Sequence, residues 1–168
     1  MKIAVVDTNV LVAANGNTTQ ADAICELQCI EELEAIKSSG TVALDMAGEI
    51  LEEYSRYCAW SGSPGVGDEF FRWAHDTAYS SGILVAITPD PHRSYEEFPD
   101  VEGLVGFDRN DRKFVAVASA CEGDAEVVNA LDSDYSIHAK ELKEAGISVR
   151  ELCPQCLPPK ALQSLDAG

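Results

Sequence analysis

Ile3-Ala4-Val5-Val6-Asp7-Thr8-Asn9 is the stretch whose reading decides the fold. Ile3 to Val6 is an uncharged run rich in β-branched residues, the pattern of a strand buried on both faces of a parallel sheet. Asp7-Thr8-Asn9 is turn-prone, so the strand ends there and delivers Asp7 at its carboxyl end.

Downstream, strand and helix patterns alternate. Over residues 20–39, Cys25, Cys29, Leu33 and Ile36 recur at helical spacing while Glu26, Glu31, Glu32 and Glu34 lie mostly on other faces, and Gly40 supplies the stop. Residues 41–44 read as a strand, 45–48 as a turn and 49–59 as a helix with Glu49 and Glu53 one turn apart on a shared face. After the break Ser61-Gly62-Ser63-Pro64-Gly65, residues 68–80 predict a helix carrying Phe70, Phe71, Trp73 and Ala74, and residues 83–87 a strand. Residues 88–107 hold Pro89, Pro91 and Pro99 and keep no period, which reads as a long exposed loop. Phe114, Val117, Ala118 and Cys121 mark a core-facing helix over residues 111–122, with Asp108 suited to its N-cap. Residues 126–131 form a strand ending at Asp132-Ser133-Asp134, followed by a helix to Ala145 and a last strand over 147–152, and the tail after Pro154 reads as loosely ordered.

Such alternation argues an α/β fold in which helices cover both faces of a parallel sheet. A chain of 168 residues, 46% of them hydrophobic, suits one compact domain. No segment approaches the roughly 18 to 20 apolar residues of a membrane span, and Asp7 interrupts the N-terminal apolar run too early for a signal peptide. The expectation is a cytoplasmic protein whose six cysteines, Cys25, Cys29, Cys58, Cys121, Cys153 and Cys156, are reduced thiols. Cys153-Pro154-Gln155-Cys156 has the spacing of half a zinc ribbon or a redox pair, a weak signal without a second pair.

Open parallel sheets place their ligand crevice beyond the carboxyl ends of the strands. Asp7 and Asp132 each follow a strand directly and Asp111 opens a helix, so all three belong at that edge, with Asn9 and Asp134 beside them. Each alone reads as a helix cap. Together they cannot all stay ionised without a cation, because like charges a few ångströms apart raise one another's pKa. Hard oxygen donors with no surrounding His or Cys favour Mg2+ or Mn2+ over Zn2+. His75, His92 and His138 share no spacing that would build a metal site of their own.

Four segments then resemble the PIN-domain family of metal-dependent nucleases: Val5-Val6-Asp7-Thr8-Asn9-Val10-Leu11, Ile50-Leu51-Glu52-Glu53-Tyr54, Asn110-Asp111-Arg112-Lys113-Phe114-Val115-Ala116-Val117-Ala118, and Asp132-Ser133-Asp134 after a strand. The resemblance covers residues 1–152, leaving 153–168 as a tail, and implies a three-layer α/β/α domain with a central mostly parallel sheet and an acidic site at the C-terminal edge of its strands. It implies Asp7, Glu53, Asp111 and Asp132 as catalytic and metal-site acids, Asp134 as a supporting metal ligand and Asn9 as the residue ordering the first loop. Glu52 and Glu49 are the alternatives to Glu53. Arg112 and Lys113 flank Asp111 and are candidate phosphate contacts, although charges at a helix start commonly form only a solvated face. Phe70, Phe71, Trp60, Trp73 and Tyr79 could stack on unpaired bases, but aromatics at helical spacing usually serve the core.

The implied activity is metal-assisted attack of water on phosphorus in RNA, by an endoribonuclease that is toxin-like or RNA-processing. An antitoxin protein and a homodimer are the partners the resemblance suggests. The competing reading is a catalytically silent module binding RNA or protein, and an aspartate-nucleophile phosphatase is disfavoured because Asn9 stands where a second Asp is needed. The net charge of −17, with a pI near 4.3, opposes a polyanionic partner and exceeds what a handful of site acids explains.

Overall fold

A computed structural model describes residues 2–166. The chain is mixed α/β. Its strands are β1 (Ile3–Val6), β2 (Ala43–Asp45), β3 (Ile83–Val85), β4 (Pro89–Asp90), β5 (Ser94–Tyr95), β6 (Ala125–Asn129) and β7 (Ser148–Glu151). Its helices are α1 (Thr8–Ala14), α2 (Ala23–Ser39), α3 (Glu49–Tyr57), α4 (Val66–Thr77), α5 (Arg112–Ala120), α6 (Ser133–Ile137), α7 (Ala139–Glu144) and α8 (Pro159–Asp166).

β1, β6 and β7 form a three-stranded parallel sheet in the order β1-β6-β7, with Val5 opposite Val127 and Val127 opposite Val149. β2 and β3 form a parallel pair, and a parallel bridge between Ala4 and Val42 sets that pair alongside β1. The parallel strands therefore run β3-β2-β1-β6-β7. Strand order reverses between β1 and β6, and such a switch point opens a crevice at the strands' carboxyl ends. Val5, Val127 and Val128 are fully buried, as strands covered on both faces require.

α1, α2 and α4 pack on one another, while α5 lies across β1, β2 and β6. Gly67 makes the α1–α4 approach: a Cβ there would stand 2.1 Å from the Leu11 carbonyl oxygen. Asp45 closes β2 into α3, its carboxylate accepting from the Glu49 and Ile50 amides at 2.8 and 2.9 Å across a turn in which Gly48 takes φ +82°. This fixes the rotation of α3 and hence the direction of Glu53.

Four expectations are corrected. Residues 88–107 contain the β4–β5 hairpin and a 3-10 turn, Glu102–Leu104, anchored by buried Phe98, Leu104 and Phe107. The helix after Asp132 breaks at His138 into α6 and α7. The segment after Pro154 is ordered: it forms α8, which packs on α6 and α7 and buries Leu157 and Ala161. The thiols are not all reduced, because α2 and the end of β7 bring buried Cys25 and Cys153 to a Cα separation of 5.2 Å, where they form a disulfide. No helix among the described residues is long and apolar enough to cross a membrane.

Candidate metal centre

Asp7, Asp111 and Asp132 converge at the switch point, each offering a carboxylate oxygen within 4.8 Å of the other two. Asp7 ends β1 and is 3% exposed; Oδ1 accepts from the Asn9 amide at 3.0 Å and from Asn9 Nδ2 at 2.7 Å, and Oδ2 accepts from the Tyr135 hydroxyl at 2.8 Å. Asp132 caps α6 through the Asp134 amide at 2.8 Å. Asp111 stands at the N-terminus of α5 and makes no capping hydrogen bond, so its side chain is left to the cluster. The turn before α5 is capped by Asp108 instead, which accepts from the Asn110 amide at 2.9 Å.

Electrostatics register the crowding. Burial, together with the charges of Asp132 and Glu53, raises the Asp7 carboxyl to about 7 in spite of its hydrogen bonds to Asn9 and Tyr135. Asp111 is raised to about 9 by burial, by a hydrogen bond shared with Asp132 and by the charges of Asp7, Asp132 and Asp108. Both groups thus favour a proton, or another cation, in their place.

Glu53 lies outside the three-acid group but lines the same open pocket of about 350 Å3. One oxygen accepts from the Thr8 hydroxyl at 2.6 Å, and the other is ion-paired with Lys113. The alternatives are engaged elsewhere: Glu49 accepts from the Tyr95 hydroxyl, and Glu52 pairs with Arg56 at the surface at 2.9 Å. Asp134 points away from the cluster, its Oδ2 accepting from the Asp108 amide at 2.7 Å. The two candidate phosphate contacts are engaged within the fold. Arg112 is buried, its guanidinium spent on the main-chain carbonyls of Arg93, Leu104, Val105 and Phe107 and stacked 4.6 Å from the Phe98 ring centroid. Lys113 serves Glu53 and the Asn110 carbonyl. Among the described residues, no Lys or Arg lines the pocket; Thr18, Gln20 and Tyr57 form its outer wall.

Asn9 orders more than its own loop. Its Oδ1 accepts from the Ala130 and Leu131 amides at 2.9 and 3.1 Å, tying the end of β1 to the end of β6. Fully buried Asn129, which sequence reading passes over, completes the frame. Its Oδ1 accepts from Asn9 Nδ2 at 2.8 Å, and its Nδ2 donates to the Asp132 carbonyl at 2.8 Å and to Glu151 at 2.7 Å. Tyr135 and Thr8 are likewise new. An Asn at the last position of a buried strand, three residues before a site Asp, is the signal that points to Asn129.

No family model, curated protein or solved structure matches the chain.

Proposed function

We propose that the protein is a metal-dependent endoribonuclease of the PIN type, a three-layer α/β/α domain that hydrolyses RNA phosphodiesters with Mg2+ or Mn2+. The observation that carries this reading is the meeting of Asp7, Asp111 and Asp132 at the reversal of strand order, with Glu53 on the wall of the same open pocket. The donors suit a hard divalent ion: all are carboxylate oxygens, and no His or Cys lines the pocket among the described residues. Bound among them, the metal supplies neutralisation of the acids, stabilisation of charge developing on phosphate and activation of water.

The chain's own part is positioning. Asn9 and Tyr135 hold both Asp7 oxygens, so Asp7 is the fixed ligand. Asp111, which makes no cap bond, is the carboxylate suited to take the proton of the attacking water. Thr18 and Gln20 offer neutral donors to the phosphate where no basic side chain stands. RNA as substrate, an antitoxin as a toxin's partner, a homodimer and a cytoplasmic location all belong to this proposal; a short neighbouring reading frame with a DNA-binding head separates toxin from processing enzyme.

The test is cleavage of labelled single-stranded RNA and DNA with Mn2+, Mg2+ or EDTA. The native chain cuts RNA with metal, and Asp7→Asn and Asp111→Asn abolish the cut. Native protein that cuts nothing, or variants that cut equally, sink the reading. The net charge of −17 and the absence of Lys and Arg from the described pocket lining favour one alternative, a catalytically silent module binding a protein partner. A nuclease that meets phosphate through metal predicts a shallow dependence on monovalent salt.

A further inference from the structure

On the side of the molecule where the C-terminal segment crosses α2, four cysteines gather. Cys25 and Cys29 stand one turn apart on α2, fully buried and on one face. Cys153 is also fully buried, bonded to Cys25, with its sulfur 4.0 Å from Cys29 Sγ. The sulfurs of Cys25, Cys29 and Cys153 all lie within 4.8 Å of one another. After Cys153 the chain turns back through Pro154–Cys156, with the Cys156 amide donating to the Cys153 carbonyl at 2.9 Å. Cys156 is partly buried on that turn, close enough to Cys29 for its charge to act on that thiol. Cys156, like Cys58 and Cys121, lies outside the three-sulfur group itself among the described residues.

We propose that Cys25, Cys29, Cys153 and Cys156 are a four-thiolate site for a soft divalent cation, Zn2+, which clamps the C-terminal segment onto α2. The spacing is that of two ligand pairs, C-x3-C presented by a helix and C-x2-C by a tight turn, the arrangement in which tetrahedral sulfur sites are built. Three sulfurs already stand near one another, and Cys156, three residues on from Cys153 across the turn, is the fourth ligand. Thiolate donors select Zn2+ against the hard ions suited to the carboxylate pocket, so the two sites divide the available metals by chemistry.

The disulfide and the cation are alternatives for the same atoms. A dithiol reductant gives two electrons and two protons to the Cys25–Cys153 bond, leaving two thiols and the oxidised reductant. Zn2+ then takes four sulfurs while four protons leave to solvent.

Cobalt reads the site without reference to nuclease activity. The full chain, reduced with a phosphine and kept from oxygen, is titrated with Co2+. One equivalent produces the thiolate-to-cobalt charge-transfer band, and Zn2+ abolishes it; carboxylate-bound Co2+ gives no such band. Cys156→Ser, altering a partly exposed side chain, loses the four-thiolate spectrum, and Cys121→Ser keeps it. In the unsubstituted chain, Zn2+ shields Cys156, the partly exposed member of the four, and not Cys121, from alkylation located by mass spectrometry. A reduced chain with no charge-transfer band, an unchanged spectrum in Cys156→Ser, or equal alkylation with and without Zn2+ overturns the proposal.

Discussion

Lys113 is ion-paired with Glu53, and both side chains are largely withdrawn from solvent, at 10% and 16% exposure. One face of α5 therefore neutralises the carboxylate that another helix brings to the pocket wall. Lys113→Met leaves that charge beside Asp7 with only the Thr8 hydroxyl as partner. A loss of about 1 to 3 kcal/mol is expected without metal, the range for a partly buried charge stripped of its partner. Mn2+ recovers part of it. Urea denaturation with EDTA and with Mn2+ measures both; equal stability of variant and native chain in EDTA refutes the assignment.

Acidity should stabilise the metal-free cluster. Asp7 and Asp111 have folded values raised from 3.8 to about 7 and about 9. Raised carboxyls contribute stability that is complete below their unfolded values and is lost as pH rises through the folded ones. In EDTA the melting temperature should therefore fall as pH rises from about 3.8, most steeply up to about 7 where both carboxyls contribute, and level off near 9, and Asp132→Asn, which removes a neighbouring charge, should flatten the fall. Mn2+ should reverse the trend, with affinity rising with pH as bound protons are displaced. A metal-free melting temperature indifferent to pH across that window contradicts the geometry.

Asn129 holds Asn9, the Asp132 backbone and Glu151 through one carboxamide. Asn129→Ala should weaken Mn2+ binding by roughly 10- to 100-fold, the effect of losing a group that orients ligands. Calorimetric titration is the measurement. Asp134→Asn, altering an acid turned toward the Asp108 amide, should bind Mn2+ like the native chain.

Arg112→Met should damage stability without a specific effect on phosphate. The guanidinium satisfies carbonyls of Arg93, Leu104, Val105 and Phe107, and its removal leaves several of them buried without a donor. A loss of about 2 to 4 kcal/mol is expected. If the variant keeps native stability and instead loses RNA affinity, the phosphate role returns.

Asp7 and Asp132 are legible in the sequence because each directly follows an apolar run that can only be a strand, and strand ends locate the crevice. Asp111 follows from the stripe of Phe114, Val117 and Ala118, although its lack of a cap bond does not. Local pattern could not find what depends on distant chain. Lys113 and Glu53 are 60 positions apart by number, and a basic residue beside a site acid reads equally as phosphate ligand or ion-pair partner. Arg112 beside it looks as solvated as any helix-start charge; only the 93–107 segment folding over it makes it a buried donor. α8, a short helix of mixed composition, is held by packing on α6 and α7 rather than by propensity. The Cys25–Cys153 bond spans 128 positions that no periodicity connects.

That bond makes a covalent ring of most of the chain. Glu53, Asp111 and Asp132 lie within the ring; Asp7 lies on the N-terminal arm outside it, joined to the ring covalently only by the single stretch of backbone before Cys25. A protease that nicks the hairpin between β4 and β5 leaves a single molecule with its acids still tethered, and the fragments separate only after reduction. Cleavage before Cys25, by contrast, releases Asp7 from covalent attachment under any redox condition. The disulfide thus keeps the molecule in one piece after a cut in that hairpin, and not after one between α1 and α2.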